Sequence, residues 1–224
     1  MAAVSKDLKP LKIVVFGGSG LTGKEIVNQA LERGHHVTIV VRDPAKIERR
    51  HPNLQLHEGD ACDVESFVSA LEGSDAVMSS LGVFASIFNP TTFYSESMQA
   101  ILEGMKRCGL KRLVTMTAWC TQPGPNNKWL VDWIINPLLL NGMIKDMTTM
   151  EKLLERTDAD WLDYTIVRPC CLVNGERTGR YKIEEGQCNT GTRYFITRAD
   201  VAQFMLNTLE SNSYNRKGFA VAGL

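Results

Sequence analysis

The hydrophobic pattern changes period along the chain, and each change marks an element. Ile13-Val14-Val15-Phe16 is apolar throughout and β-branched, as expected of a strand covered on both faces in a parallel sheet. From Leu21 to Arg33 the apolar residues Leu21, Ile26, Val27, Ala30 and Leu31 fall at helical spacing, Gly34 ends the helix, and His36 to Val41 is a second apolar run. Further strands are predicted over Leu54 to Glu58, Ala76 to Ser79, Arg112 to Met116 and Tyr164 to Pro169. Helices are predicted from Asp63 to about Leu71, from about Phe93 to Cys108, and onward from Thr197, with Asp200 three residues later in a capping-box relation. Arg180 to Phe195, polar and punctuated by glycine, reads as a flap with short strands, and Phe219-Ala220-Val221 reads as an edge strand. Alternating strands and helices predict the α/β class: a Rossmann-type doubly wound parallel sheet, one domain over residues 1–224, with an apolar insertion at about 121–145. The insertion carries Trp129, Leu130, Val131, Trp133 and Leu138 to Leu140, and it reads as a pocket lid, a dimer face or plain core.

Between the first strand and the first helix stands Gly17-Gly18-Ser19-Gly20-Leu21-Thr22-Gly23. Glycine at every third position lets the chain turn tightly, brings backbone close to a ligand and seats a helix on a strand without intervening Cβ atoms. The free N–H groups of the helix start and the positive end of its dipole then face the turn and form a site for a pyrophosphate, with Ser19 and Thr22 adding hydroxyls. The spacing alone is a weak signal, but here it follows a strand, opens a helix and reaches a second strand within one βαβ unit.

The tip of that second strand selects the cofactor. An acid there accepts from the ribose 2′-hydroxyl of NAD, whereas cations hold the 2′-phosphate of NADP. Arg42 takes the first position, Asp43 the next, and Lys46 is close enough along the chain to reach the same phosphate. At about 1.5–3 kcal/mol per charged contact, two cations outweigh one carboxylate and favour NADP(H); the alternative is that Arg42 and Lys46 only solvate the loop and Asp43 does the choosing.

Composition narrows the partners. The chain has 224 residues, 44% of them hydrophobic, with 25 Lys plus Arg balancing 25 Asp plus Glu, so no basic field argues for nucleic acid and a small-molecule partner is expected. Met1 to Pro10 lacks a secretory apolar core, and no run approaches the roughly 18 apolar residues of a membrane span, so a cytoplasmic protein is expected. The six cysteines lack zinc-like pairing and are expected to be reduced, small buried hydrophobes, and no metal site is expected. All four histidines lie at or before His57, which makes a Ser-His-Asp hydrolase difficult to build later in the chain; His35 and His36 are expected to cap the first helix.

Successive strand tips, Gly17, Gly59-Asp60-Ala61, Ser80-Leu81-Gly82 and Thr117-Ala118-Trp119, converge on one edge and describe an extended ligand across the sheet. Asp60 reads as an adenine contact or as an ordinary turn aspartate. Phe84 to Pro90 reads as a docking loop for a flat ring or as a piece of core.

These elements, with Val41-Arg42-Asp43, Asn89-Pro90-Thr91-Thr92, Arg168-Pro169 and Thr197 to Ala202, resemble the atypical short-chain dehydrogenase/reductases of the NmrA-like, NAD(P)H-binding type, and most of all the flavin reductase/biliverdin-IXβ reductase group. The resemblance covers about Leu11 to Leu209. It implies an NADPH-binding domain whose open pocket passes hydride to flavins, biliverdins or similar planar acceptors. By matching positions, Gly17, Gly18, Ser19, Gly20, Leu21, Thr22 and Gly23 would form the diphosphate turn, Arg42 and Lys46 would hold the 2′-phosphate, and Asp60 with Ala61 the adenine. Leu81 and Gly82 would line the nicotinamide ribose, and Pro169 and Cys170 would approach the carboxamide. Tyr94 and Trp119 are the candidate acceptor contacts.

Two departures bear on catalysis. The group's serine after the fifth strand is Ala118 here, although Thr117 keeps a hydroxyl. The Tyr-x-x-x-Lys pair is absent, with Thr148 standing four residues before Lys152; Lys152 and Thr117 are therefore the candidate catalytic residues, Lys152 reading equally as a solvated surface lysine. Without a phenol, carbonyl chemistry is hard, whereas conjugated rings spread the incoming charge and take a proton from water. The expectation is an NADPH-dependent reductase of a planar acceptor; a non-catalytic NADP(H) sensor or scaffold is the alternative, and a sugar-nucleotide epimerase fits poorly. The oligomeric state is not legible.

Overall fold

In a computed structural model that describes residues 9–83, 91–122, 141–187 and 193–224, eight strands form one sheet in the order β3-β2-β1-β4-β5-β6-β10-β8. The strands are β1 (Lys12–Phe16), β2 (His36–Val41), β3 (Leu54–Glu58), β4 (Ala76–Ser79), β5 (Arg112–Met116), β6 (Asp163–Pro169), β8 (Tyr181–Glu185) and β10 (Lys217–Gly223). All pair in parallel except β8, which lies antiparallel to β10 with Gly223 opposite Tyr181. A parallel, two-strand sheet of β7 (Cys171–Val173) and β9 (Phe195–Thr197) stands apart. The loop Phe84 to Pro90, most of the 121–145 insertion and Cys188 fall outside the described residues.

Parallel neighbours need crossovers, and the helices supply them on both faces. Alternation along β1 sends Ile13 and Val15 into the core beneath α1 (Leu21–Glu32) and α5 (Arg198–Leu209), and Val14 and Phe16 into the core beneath α2 (Val64–Leu71), α3 (Phe93–Arg107) and α4 (Asn141–Glu155). This explains the uninterrupted apolar run. Phe16 meets Phe67 of α2 edge-on, with ring centroids 5.0 Å apart.

Two local expectations change on folding. β10 is an interior strand, because Tyr181 to Glu185, expected in a flap, folds back on it and takes the sheet edge. A seven-residue run covered on one side by β6 and on the other by β8 has no free ladder to expose. The cysteines also divide: Cys170 is buried, but Cys62 and Cys171 are exposed, and no disulfide forms among the described cysteines.

Helix ends are satisfied in ways the sequence shows only in part. At the end of α1 the backbone does the capping, with Gly34 at φ +82°, Gly34 N donating to Leu31 O (3.0 Å) and His35 N to Ala30 O (3.0 Å). The His35 imidazole, buried, instead accepts at Nδ1 from Leu11 N (3.1 Å), tying the helix end to the start of β1. Burial, with Arg33 adding and Glu210 opposing, lowers its pKa and keeps it neutral. The start of α3 is capped from another helix, where buried Asp146 of α4 accepts from Tyr94 N (2.7 Å) and Ser95 Oγ (2.5 Å). Thr197 Oγ1 accepts from Asp200 N (3.1 Å) as in a capping box, but the Asp200 carboxylate takes Thr178 N and Gly179 N (2.8 Å each) and pins that loop to α5.

Candidate functional site

β1 pairs with β2 on one side and β4 on the other, so the chain reverses its direction of winding between β1 and β4. Such a switch point leaves a crevice at the strand C-termini, and the glycine turn occupies it. Gly17 has φ +80°, and a Cβ on it would lie 2.7 Å from the Ser80 carbonyl and 2.9 Å from Leu81 N, so the turn touches the tip of β4. A Cβ on Gly18 would meet Ile39 of β2 at 2.7 Å, and one on Gly23 would lie 2.0 Å from Gly17 O. Only glycine lets turn, helix and two strand tips close this far.

The closure leaves donors. The first intrahelical bond of α1 to begin in the turn is Lys24 N to Gly20 O (2.9 Å), so the Leu21, Thr22 and Gly23 amides precede it. No side chain caps α1 and its first turn holds no acid, so nothing within the helix opposes an anion at its positive end. Ser19 and Gly20 are exposed beside it, and Thr22 is buried. Buried Ser80, at the tip of β4 against this turn, has a hydroxyl with no hydrogen-bond partner. Orphan amides, an uncapped dipole and a cradle that a Cβ would fill suit a diphosphate.

Past β2, Arg42 is exposed, and Asp43 caps the following turn, its Oδ1 accepting from Ala45 N (3.1 Å) and its Oδ2 lying 3.6 Å from Lys46 Nζ. Asp43 therefore neutralises part of Lys46. A groove of about 300 Å³ runs from Gly18 between α1 and this segment, with Lys24, Lys46 and Arg49 against the lone acid Glu48 on its charged rim. A neighbouring groove adds Arg50 and His51. In a chain of zero net charge this is a local excess of cations.

After β3, Asp60 Oδ1 accepts from Cys62 N (3.0 Å) in a turn, and Ala61 is buried. The pairing of Val41 with Glu58 puts the tips of β2 and β3, and so Arg42 and Asp60, side by side at one end of the crevice, and partial burial, with Asp60 and Glu96 adding and Arg42 opposing, pushes the Cys62 thiol pKa up. Leu81 is half-buried, and a Cβ on exposed Gly82 would meet nothing within 4 Å, so the protein's own packing does not require glycine there. Pro169 and Cys170 are buried at the tip of β6, with Cys170 N donating to Val221 O (3.0 Å).

Beyond β5 the candidate catalytic residues part company. Thr117 is buried and its Oγ1 donates to Glu151 Oε1 (2.7 Å), whereas Lys152 lies on the exposed side of α4. A hydroxyl has one proton, so Thr117 offers a ligand an acceptor unless it gives up Glu151. Glu151, 1% exposed, also accepts from Thr121 Oγ1 (2.7 Å), Gln122 Nε2 (2.9 Å) and Arg168 Nη2 (2.8 Å). Burial alone would raise its pKa; Arg168's hydrogen bonds and charge, with Thr117 and Gln122, turn the net shift downward and keep it ionised. This network escaped the sequence reading. Arg168 carries no period that announces a partner, and a glutamate beside Lys152 reads as helix surface. Tyr94 is likewise only 2% exposed, its hydroxyl accepting from Val83 N (3.3 Å), while Trp119 is half-buried against Tyr194. Among the described residues no three His, Cys, Asp or Glu side chains gather as metal ligands, and no helix is long and apolar enough to cross a membrane.

The model of the NAD(P)H-binding family matches residues 17–212, from the first glycine of the turn to beyond α5. The chain belongs to this family. Within the NAD(P)H-binding family, of the atypical short-chain dehydrogenase/reductase type, it is 28% identical over 95% of its length to the photosystem II assembly factor Ycf39 of Synechocystis, of which it spans 63%. A solved candidate epimerase from Bacteroides thetaiotaomicron is similar to it at a TM-score of 0.81 and 26% identity, over 96% of this chain and 98% of that one. A candidate NADH-flavin reductase from Streptococcus pneumoniae shares the fold at a TM-score of 0.76 and 23% identity, over 96% of this chain and 100% of that one. The Rossmann-type doubly wound sheet is thus shared with these two solved structures, and the nicotinamide cofactor is the family's.

Proposed function

We propose that this chain is a single-domain, cytoplasmic reductase that draws hydride from NADPH and delivers it to a planar conjugated acceptor of the flavin, biliverdin or quinone kind. The observation that carries the reading is the uncapped, acid-free start of α1 closed against β1, β2 and β4 by glycines that tolerate no Cβ. In this reading Gly17 to Gly23 hold the diphosphate. Arg42, Lys46 and the cationic groove beside Gly18 favour the 2′-phosphate. Asp60 and Ala61 border the adenine, Leu81 and Gly82 the nicotinamide ribose, and Pro169 and Cys170 the carboxamide.

NADPH supplies the hydride when bound. The chain supplies position, an anion site and an aromatic rim, while the accompanying proton reaches the acceptor from water, since Thr117 points its own proton at Glu151. The candidate flavin reductase of the same fold agrees with this reading. A carbonyl reductase or epimerase would need a phenol beside a lysine, and Thr148 stands in that place.

A second reading, a non-catalytic NADP(H) sensor or scaffold, is favoured by the engaged Thr117 proton, by Ala118 and by a relative named as an assembly factor. NADPH oxidation followed at 340 nm with FMN, biliverdin and a quinone panel separates the two. Turnover of one of these acceptors is the expected result; tight NADPH binding with none turned over would leave the sensor.

A further inference from the structure

The acceptor end of the site has its own aromatic wall. Trp119 stands in the turn that follows β5, and Tyr194 directly precedes β9. Their rings meet edge-on, with centroids 6.3 Å apart and planes at 63°. Tyr194 is also tied to the neighbouring strand tip, because Cys171, two residues past Pro169, donates its N–H to Tyr194 O (2.9 Å). Trp119 therefore comes from the tip of β5, and Tyr194, at the start of β9, is held beside the tip of β6, the adjacent strands whose ends carry Thr117 and Cys170.

Hydrogen bonds hold the backbone on both sides. Arg193 N donates to Gly223 O (2.8 Å), at the end of β10. Gln187 Nε2 reaches across from the end of β8 to Trp119 O and to Gln122 O (2.7 Å), holding the Trp119 turn. Tyr194 nevertheless keeps 39% of its surface in solvent. A large ring held at its backbone and left exposed stacks on a flat ligand with little further loss of freedom. Tyr94 cannot do this from its place in the core at 2% exposure without the core opening.

We propose that Tyr194, paired with Trp119, is the stacking wall of the acceptor subsite and that it takes a flat, conjugated heteroaromatic ring of isoalloxazine type. This rests on the reductase reading, and two readouts keep the two separable. Wild type, Tyr194→Ala, Tyr194→Phe and Phe195→Ala are compared for riboflavin and FMN, in NADPH oxidation and in flavin fluorescence quenching by the NADP⁺-loaded protein. Phe195 is the exposed neighbour that makes no ring contact with Trp119. Tyr194→Ala should raise the flavin KM and Kd about tenfold, the factor one aromatic stack supplies, with NADPH affinity unchanged. Tyr194→Phe should stay within about twofold of wild type, since the ring and not the hydroxyl stacks, and Phe195→Ala should match wild type. Turnover with an unchanged flavin KM in Tyr194→Ala overturns the subsite and leaves the reductase standing. Flavin binding that Tyr194→Ala abolishes, without turnover in wild type, keeps the subsite and overturns the reductase. Neither binding nor turnover in wild type overturns both.

Discussion

Arg168→Leu should be among the most damaging single substitutions in the chain, and it should reverse a pH dependence. Arg168 is 4% exposed and Glu151 1%, and the guanidinium meets the carboxylate at 2.8 Å through Nη2 and at 3.1 and 3.2 Å through Nε. Removing the cation leaves a buried carboxylate facing two hydroxyls and one amide, at a cost of about 3–5 kcal/mol. For a chain of this size that lowers Tm by roughly 6–20 °C. In the wild type Glu151 titrates below its ordinary 4.5, so its contribution is present above that value and lost only as pH falls through the depressed folded pKa. With Arg168 gone, burial dominates and raises the folded pKa. The variant then folds with Glu151 protonated, is best off in acid, and loses stability as pH rises through the raised value. Urea unfolding at pH 5.5 and pH 8 measures both effects, and Glu151→Leu combined with Arg168→Leu should lose less than Arg168→Leu alone because no charge is left buried. A loss below about 1 kcal/mol, or the wild-type pH slope retained, would refute this account of the pair.

The other expectations address the cofactor end and the scaffold. Arg42→Ala should weaken NADPH by roughly 10- to 100-fold while leaving NADH nearly unchanged, as read by calorimetry; equal losses would place the phosphate elsewhere. Gly23→Ala puts a Cβ 2.0 Å from Gly17 O, so the turn must open and NADPH affinity should fall at least about tenfold along with Tm. Asp146→Ala strips the start of α3 of the carboxylate that caps it and should cost about 2 kcal/mol in urea unfolding, with NADPH affinity retained. Gly218→Ala drives a Cβ to 2.2 Å from Arg168 Nη1, so its thermal loss should approach that of Arg168→Leu if the guanidinium is as fixed as its bonds imply.

What the sequence determined by itself is what short-range physics writes into it. The run Ile13 to Phe16, the glycines at 17, 20 and 23, the helix to Glu32 and the strand to Val41 are each set by neighbours a few residues away, and so were the strand tips that carry Asp60, Gly82 and Pro169. A period of two or of 3.6 and a turn that needs glycine are local constraints. The tertiary structure alone decided the rest. Glu151 joins Thr117 across 34 residues and Arg168 across 17, Tyr194 meets Trp119 from the far side of the chain, and β10 lies inside the sheet because β8 returns to cover it. Such pairings leave no period in either partner's surroundings. A buried glutamate and a surface one are the same letter until a second strand brings the arginine that makes burial affordable.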